Sequence, residues 1–343
     1  MRVLVVIGAG ASYDAWPKHV YNYNGQRLPL ANELFAPLAI QNHYLQQYNL
    51  MGLAAKLRLL ADSKKHDFDI EKELAEIFDT AKERNDPNDL QNLFKARFYI
   101  HSLILALTQE TLKRTNGHTN YVTLLYKLKD WINEYPSDRF VDIVVFNYDS
   151  LIEHAMTNVY GYDWFHKTSD QPLTAYYRGN NLRIYKPHGS INWGNEIHKS
   201  EKPYIYWNQE EVFQSFIDIK PLSSICVIDP ANISRRIQKS YIPAIAIPYK
   251  NKQHFDECPN EMKEEMIEAT LKANKLITIG WKGSDENYTS ILKKNSHLTD
   301  IYVVSPNANT NLDEIFPSII RPIKSSFRDF INKTQQLEEI LTS

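Results

Sequence analysis

Residues 2–12 read RVLVVIGAGAS, and this stretch decides the fold. Arg2–Ile7 is a short and continuously apolar run, which is typical of a strand buried on both faces of a parallel sheet. It is followed directly by Gly8, Ala9, Gly10 and Ser12. Glycines at such a strand–helix turn let the backbone approach a diphosphate, and the start of the helix offers unpaired N–H groups to it. The stretch therefore predicts a nucleotide-binding turn; a tight turn without a ligand is the alternative.

The turn lacks the fingerprint of a dehydrogenase. That fingerprint needs a third small residue at the position that Tyr13 occupies in this chain. It also needs an acidic residue about 20 positions further on, at the end of a second strand. The nearest candidate, Glu33, lies in a segment that looks helical. Hydride transfer is therefore disfavoured.

Two later strand-like runs end in polar clusters. Phe140–Phe146 (FVDIVVF) precedes Asn147 and Asp149, and Ile184–Lys186 leads to His188. Ligands of open parallel sheets bind outside the carboxyl ends of the strands, so these side chains are candidates for one site. Histidine titrates near neutral pH and suits proton abstraction from a hydroxyl group or a water. For Asn147 and Asp149, turn and helix-cap contacts are the alternative.

Two further clusters follow strand-like runs near the end of the chain, LITI at 276–279 and IYVV at 301–304. Their hydroxyl groups, amide and glycine suit the ribose and phosphate end of a nucleotide, and simple loops are the alternative. The candidate residues of these clusters are Gly280, Ser284, Ser305 and Asn307.

Strands separated by helical patterns predict an α/β fold, a Rossmann-like doubly wound parallel sheet with a mainly helical insertion. The residues from about 30 to 136 are polar and helix-periodic, and those from 192 to 239 are irregular and rich in aromatic side chains. The predicted units are a Rossmann-like core of residues 1–29, 137–191 and 240–325, a helical subdomain of 30–136, an irregular cover module of 192–239 and a C-terminal helix of 326–343.

Composition narrows the class of protein. The 343 residues carry 39 Lys+Arg against 41 Asp+Glu, a net charge of −2, so a dedicated nucleic-acid surface is not expected. There are two cysteines, too few for a disulfide framework or a four-cysteine zinc module, and no histidine spacing typical of a metal site. No apolar run is long enough to span a membrane, and no signal peptide is evident. We expect a soluble cytoplasmic protein without a metal.

The ordered set GAGAS, N-x-D, HGS, G-x-x-G-S and V-V-S-P-N resembles the sirtuin family, specifically the bacterial sirtuin-like domains of antiviral defence proteins. The resemblance implies that Gly8, Ala9, Gly10 and Ser12 bind the diphosphate of NAD. It implies that Asn147 holds the nicotinamide ribose and the attacking water, that Asp149 engages the nicotinamide carboxamide, and that His188 is the general base. The residues implied at the phosphate and adenosine end are Gly280, Ser284, Ser305 and Asn307.

The chain departs from the protein-deacetylating sirtuins in two respects. It has too few cysteines for their zinc module, and Asp14–Lys18 stands in place of their Pro-Asp-Phe-Arg run. The family members that lack these features, in Thoeris, short-Argonaute and ATPase-associated defence systems, hydrolyse NAD. The resemblance therefore implies an NAD glycohydrolase that takes NAD as substrate, needs no metal and depletes NAD in abortive infection.

Uncontrolled NAD loss would kill the cell, and no sensor domain is evident beyond the helical block. Control by self-assembly, or by a separately encoded partner such as a HerA-like ATPase or an Argonaute, is therefore expected from the resemblance. Two alternatives remain at this point: a non-catalytic module that senses NAD or ADP-ribose, and a sirtuin-type deacylase or ADP-ribosyltransferase.

Overall fold

A computed structural model describes residues 1–17, 20, 26–161, 173, 181–197, 213, 221–227, 240–247, 257–307, 311–333 and 335–342. Nine strands lie in this part of the chain. They are β1 (Arg2–Ile7), β2 (Phe140–Val145), β3 (Leu182–Tyr185), β4 (Gly189–Ile197), β5 (Pro221–Val227), β6 (Ser240–Ile245), β7 (Lys275–Ile279), β8 (Asp300–Ser305) and β9 (Ile320–Lys324).

Six of these strands form one parallel sheet, in the order β3-β2-β1-β7-β8-β9. From β1 the chain builds outward to β2 and β3, and it then returns to place β7 on the other side of β1. The strand order therefore reverses between β1 and β7. In open parallel sheets the crevice at such a reversal, outside the carboxyl ends of the strands, is where ligands bind.

Helices cover both faces of this sheet. Val3, Val5 and Ile7 of β1 belong to one buried apolar cluster with the long helices, whereas Leu4 and Val6 belong to a second cluster on the opposite face. Successive side chains of a strand point to opposite faces, so the continuous apolar run of β1 serves both clusters at once. The predicted Rossmann-like doubly wound parallel sheet with a mainly helical insertion is confirmed.

The helical insertion lies between β1 and β2 in the chain. It contains α2 (Ala39–Gln47), α3 (Met51–Lys64), α4 (Ile70–Glu83), α5 (Pro87–Thr115) and α6 (Asn120–Glu134), and it follows the short α1 (Ala9–Tyr13). Asp69 and Asp86 cap α4 and α5 through the first backbone N–H groups of each helix. His101 of α5 is buried, its Nε2 bonds to the Ile191 carbonyl at 2.9 Å, and burial lowers its pKa to about 4. His101 is therefore a neutral core residue.

The other helices are α7 (Leu151–Tyr160), α8 (Asn260–Lys272), α9 (Glu286–Leu292), α10 (Leu312–Ile315), α11 (Phe327–Asn332) and α12 (Gln336–Thr342). The prediction of a single C-terminal helix over 326–343 is wrong, because this segment contains two helices, α11 and α12. Helix α11 ends where Lys333 takes an extended conformation. No helix in the described ranges is both long and apolar enough to cross a membrane.

A second sheet corrects the predicted boundaries around residue 192. Strands β4, β5 and β6 form an antiparallel sheet in the order β5-β4-β6. The predicted irregular module of 192–239 therefore contains β5 and residues 192–197 of β4, and β6 does not join the parallel core to which 240–325 was assigned. The register of β4 shifts on both sides, where it pairs with β5 and with β6, and such shifts are features of strand pairing that a local sequence pattern does not reveal. The rest of 198–239, apart from Phe213 and β5, lies outside the described residues.

Candidate functional site

The residues that follow β1 are in direct backbone contact with the carboxyl end of β7. The Gly8 N–H donates to the Ile279 carbonyl at 3.0 Å, and the Gly10 N–H donates to the Gly280 carbonyl at 3.1 Å. A Cβ atom on Gly8 would lie 2.6 Å from the Gly280 carbonyl oxygen and 2.7 Å from Trp281 Cα. Gly8 and Gly10 are thus required for packing between neighbouring strand ends, and their N–H groups are already used there.

Trp281 packs directly against Gly8, in the space that a side chain at this position would need. The Trp281 ring stacks on Phe146 at the end of β2, with ring centroids 5.4 Å apart and an interplanar angle of 4°. Because β1 lies between β2 and β7, this stack passes over the end of β1. The His188 ring also packs against Phe146, and the centroids of these two rings are 5.0 Å apart. Aromatic packing therefore gathers the loops after β7, β2 and β3 into one cluster.

Gly8→Ala is expected to destabilise the fold by about 1–3 kcal/mol, because Trp281 and Gly280 must move away from the added methyl group. Gly52→Ala in α3 is the matched control, since a Cβ there meets nothing within 4 Å. Alanine is also the better helix former, so the control is expected to be neutral or stabilising. Urea unfolding followed by circular dichroism measures both changes. Equal stability of the two variants would contradict the packing role of Gly8.

Asn147, Ser12, Asp149 and Tyr121 form a buried hydrogen-bond network beside this turn. Asn147 Nδ2 donates to the Gly8 carbonyl at 2.9 Å and to Ser12 Oγ at 2.6 Å, and it lies 3.3 Å from Tyr121 Oη. Ser12 Oγ donates to Asp149 Oδ2 at 2.6 Å and lies 2.8 Å from Tyr121 Oη. Each of the four residues is at most 6% exposed. The site thus draws on β1, β2 and the helical insertion, to which Tyr121 belongs.

The chemistry of the groups fixes the direction of these bonds. A hydroxyl group has one proton, and Ser12 gives its proton to Asp149, which as a carboxylate only accepts. Ser12 Oγ must then accept from both Asn147 Nδ2 and Tyr121 Oη. Ser12 therefore has no proton left for a phosphate oxygen, which argues against its expected contact with a diphosphate.

The same reasoning fixes the amide of Asn147. The group facing the Gly8 carbonyl has to be a donor, so Nδ2 is on that side, where its two protons are taken by Gly8 and Ser12. Among the residues that the structure describes, no hydrogen bond to Oδ1 is seen, so Oδ1 is the atom of this side chain that can accept from a ligand. Asn147 consequently offers an acceptor, which suits a ribose hydroxyl group or a water.

Asp149 is part of this network and uses both of its carboxylate oxygens. Oδ2 accepts from Ser12, and Oδ1 accepts from the Leu151 N–H at 3.1 Å, at the start of α7. Burial raises the pKa of Asp149, and the nearby Lys186 ammonium and these two hydrogen bonds oppose that rise. This arrangement matches the turn and cap contacts that were the alternative for Asp149, and it gives the residue an orienting role toward Ser12.

Below Asp149 lies a buried ion pair. Lys186 Nζ bonds to Glu153 Oε1 at 2.9 Å and to Ser190 Oγ at 2.6 Å, and it also donates to the Asp149 carbonyl oxygen. The side chains of Lys186 and Glu153 are 0% and 2% exposed. These bonds tie the chain before and after His188 to the start of α7.

His188 meets a carboxylate from across the sheet. Its Nε2 lies 3.0 Å from Asp285 Oδ2, and the two side chains are 16% and 15% exposed. The backbone of His188 is also fixed, because the Ala246 N–H donates to its carbonyl at 2.9 Å. Asp285 directly follows the G-x-x-G-S stretch, but sequence reasoning gave it no role.

The residues expected at the adenosine end lie at or just beyond the carboxyl ends of two neighbouring strands, β7 and β8. Gly280 and Ser305 are partly exposed, and Ser284 and Asn307 are exposed. Within the described residues, no hydrogen bond is seen between these four and Asn147 or His188. Ala9 and Gly10 are partly exposed at the neighbouring end of β1. The structure thus leaves these six positions accessible to a ligand without joining them to the buried network.

Sequence reasoning missed two residues of this site, Tyr121 and Asp285. Tyr121 carries no motif, and nothing in the sequence points to it. Asp285 had a detectable signal, since it follows Gly283 and Ser284 and caps a helix. In the described part of the chain, no group of three or more His, Cys, Asp or Glu residues is placed to hold a metal ion.

No family model and no curated protein matches this chain. Among solved structures, it is similar to a Sir2 protein with a p53 peptide and NAD⁺, at 12% identity and a TM-score of 0.40, over 98% of this chain and 93% of that one. A structure of a Sir2 enzyme gives 12% identity and a TM-score of 0.42 over the same shares. A sirtuin studied for substrate affinity is 14% identical, with a TM-score of 0.40, again over 98% of this chain and 93% of that one. These TM-scores are low. The fold of this chain is therefore established from its own strand order, and its candidate site is described from its own contacts.

Proposed function

We propose that this protein is an NAD glycohydrolase, which cleaves the bond between nicotinamide and ribose to give nicotinamide and ADP-ribose. The proposal is carried by one observation. Asn147, with Oδ1 as its remaining acceptor, and His188, paired with Asp285, are gathered at the carboxyl ends of β2 and β3. Asn147 follows β2, the neighbour of β1 at the reversal of strand order, and His188 reaches toward this reversal through its contact with Asp285 after β7. A nucleotide would bind at this reversal.

The proposed reaction needs few functional groups from the protein. Leaving of neutral nicotinamide gives an oxocarbenium-like ribose, and a water then adds its oxygen to C1′ and loses one proton. Asn147 Oδ1 would hold a ribose hydroxyl group or the water in place, and His188 would take up the proton. Neither step needs an electron acceptor or a metal.

The remaining residues are assigned around this centre. Ala9 and Gly10 would border the diphosphate, with Gly8 shaping the turn beneath them. Ser12 and Asp149 are assigned to orienting Asn147, in place of the diphosphate and carboxamide contacts that the resemblance implies. The adenosine end would lie along Gly280, Ser284, Ser305 and Asn307.

The biological role follows from the resemblance to bacterial defence proteins. The protein would act in the cytoplasm as the NAD-depleting effector of an antiphage system that works by abortive infection. Because such an activity must be idle before infection, we assign its control to self-assembly or to a partner of the HerA-like ATPase or Argonaute type.

The test is NAD consumption by the purified protein, with nicotinamide and ADP-ribose separated by chromatography, alone and with the product of a neighbouring gene. Wild type is compared with His188→Ala and with His43→Ala, an exposed histidine of α2. Turnover that is lost only in His188→Ala supports the proposal. Turnover only with an acylated peptide would replace it by a deacylase, and NAD binding without turnover in every mixture would replace it by a sensing module.

A further inference from the structure

We infer that Asp285 is a positioning residue for His188, which holds the imidazole in the tautomer that carries its proton on Nε2. The inference deepens the proposed function and rests on it for its kinetic part. The geometry that carries it is the bond between His188 Nε2 and Asp285 Oδ2 at 3.0 Å. A carboxylate only accepts, so the ring nitrogen facing it must carry a proton. The basic nitrogen of neutral His188 is then Nδ1, and the carboxylate stabilises the imidazolium formed when that nitrogen takes a proton.

The two oxygens of Asp285 have separate tasks. Oδ1 accepts from the Tyr288 N–H at 2.8 Å and caps α9, and Oδ2 faces His188. The cap fixes the orientation of the carboxyl group, so Oδ2 is held toward the ring without further adjustment. Asp285 is thus oriented by its own helix before it acts on His188.

His188 and Asp285 come from strands that are far apart in the sheet. His188 follows β3 and Asp285 follows β7, and β2 and β1 lie between these strands. Strand spacing places the ends of β3 and β7 about 14 Å apart, so the two loops meet above the ends of β1 and β2. A helix cap alone would not require Asp285 to reach across the sheet. The contact therefore places a carboxylate directly on the His188 ring.

The decisive comparison is between Asp285→Asn and Asp285→Ser. Asparagine has to cap α9 with its Oδ1, so its Nδ2 would face His188 Nε2 as a donor and force the proton onto Nδ1. Serine keeps a good cap but is too short to reach the ring. We expect Asp285→Asn to lower kcat about 100-fold or more, and Asp285→Ser to lower it less, about 10-fold. A cap-only role predicts the opposite, with the nearly isosteric asparagine the milder change.

A double-mutant cycle and a stability control complete the kinetic arm. In a His188→Ala background, Asp285→Asn is expected to cause no further loss, because its effect runs through the histidine. Asp86→Ser, at the cap of α5, is the control for loss of a carboxylate cap, and it is expected to keep wild-type kcat. Additive losses in the cycle would overturn the inference.

A readout that does not need turnover separates the two proposals. Nitrogen-15 chemical shifts of the His188 ring, with assignment by loss of the signal in His188→Ala, report which nitrogen carries the proton. We expect the Nε2–H tautomer in wild type and the Nδ1–H tautomer in Asp285→Asn. If wild type shows this tautomer and the switch occurs but NAD is never consumed, the glycohydrolase fails and the pairing stands. If the tautomer is the same in both proteins, the inference fails whatever the activity.

Discussion

Asn147→Asp is expected to lower NAD turnover about 100- to 1,000-fold, although the two side chains have nearly the same shape. In the wild type, Nδ2 donates to the Gly8 carbonyl and to Ser12 Oγ. A carboxylate has no protons to give, so an oxygen would face the Gly8 carbonyl oxygen. It would also bring a second negative charge close to the buried Asp149. The side chain would turn away from its place, and the acceptor it offers to the ribose or the water would be lost.

The measurement is kcat/KM for NAD near neutral pH, beside thermal unfolding of each variant. Asn158→Asp is the matched control, because Asn158 Nδ2 also donates to a backbone carbonyl, that of Gly117 at 3.1 Å, but on the exposed side of α7. The control is expected to keep wild-type turnover. Turnover of Asn147→Asp within about threefold of wild type would show that the orientation of this amide does not matter for the reaction.

The sheet was open to prediction from the sequence because its central strands are buried on both faces. The apolar runs of β1, β2, β7 and β8 each stop at a glycine or a polar cluster, and these local signals locate the strands and the edge where ligands bind. The antiparallel sheet gives no such signal. The run 244–247 looks like a core strand, and only its pairing with β4, which is a long-range property, places β6 outside the parallel sheet.

The sequence predicts where the candidate residues lie in the fold, but it does not predict which residues contact them. Asn147 and His188 stand at strand ends, which the sequence reveals. Tyr121 and Asp285 reach them from helices that lie 26 and 97 residues away in the chain, and no local pattern encodes such contacts. Ser12 shows a further limit: its motif favours a phosphate contact, but the single proton of a hydroxyl group goes to the buried Asp149 carboxylate.

Lys186→Met is expected to be the most destabilising substitution beneath the site, at about 3–5 kcal/mol. The ammonium is fully buried and satisfies Glu153, Ser190 and the Asp149 carbonyl at once. Methionine fills similar space, but it leaves the Glu153 carboxylate without its counter-ion in a buried position. Urea unfolding measures the loss, and Lys186→Met combined with Glu153→Gln tests the cause. The double variant is expected to recover a large part of the stability, because the Glu153 carboxylate is no longer buried without its counter-ion.

The loss is also expected to depend on pH, with a sign that follows from Asp149. Burial raises the pKa of Asp149 and Lys186 opposes that rise, so removal of the ammonium raises this pKa further. A carboxyl group with a raised pKa in the fold binds its proton more tightly when folded, and the stability this provides is lost as pH rises. The cost of Lys186→Met should therefore grow as the pH rises above the ordinary pKa of a carboxyl group. The exposed pair of Lys272 and Glu268 is the control, where Lys272→Met is expected to cost less than about 1 kcal/mol. Equal costs at the two positions would mean that the buried lysine does not hold the loop of His188 in place.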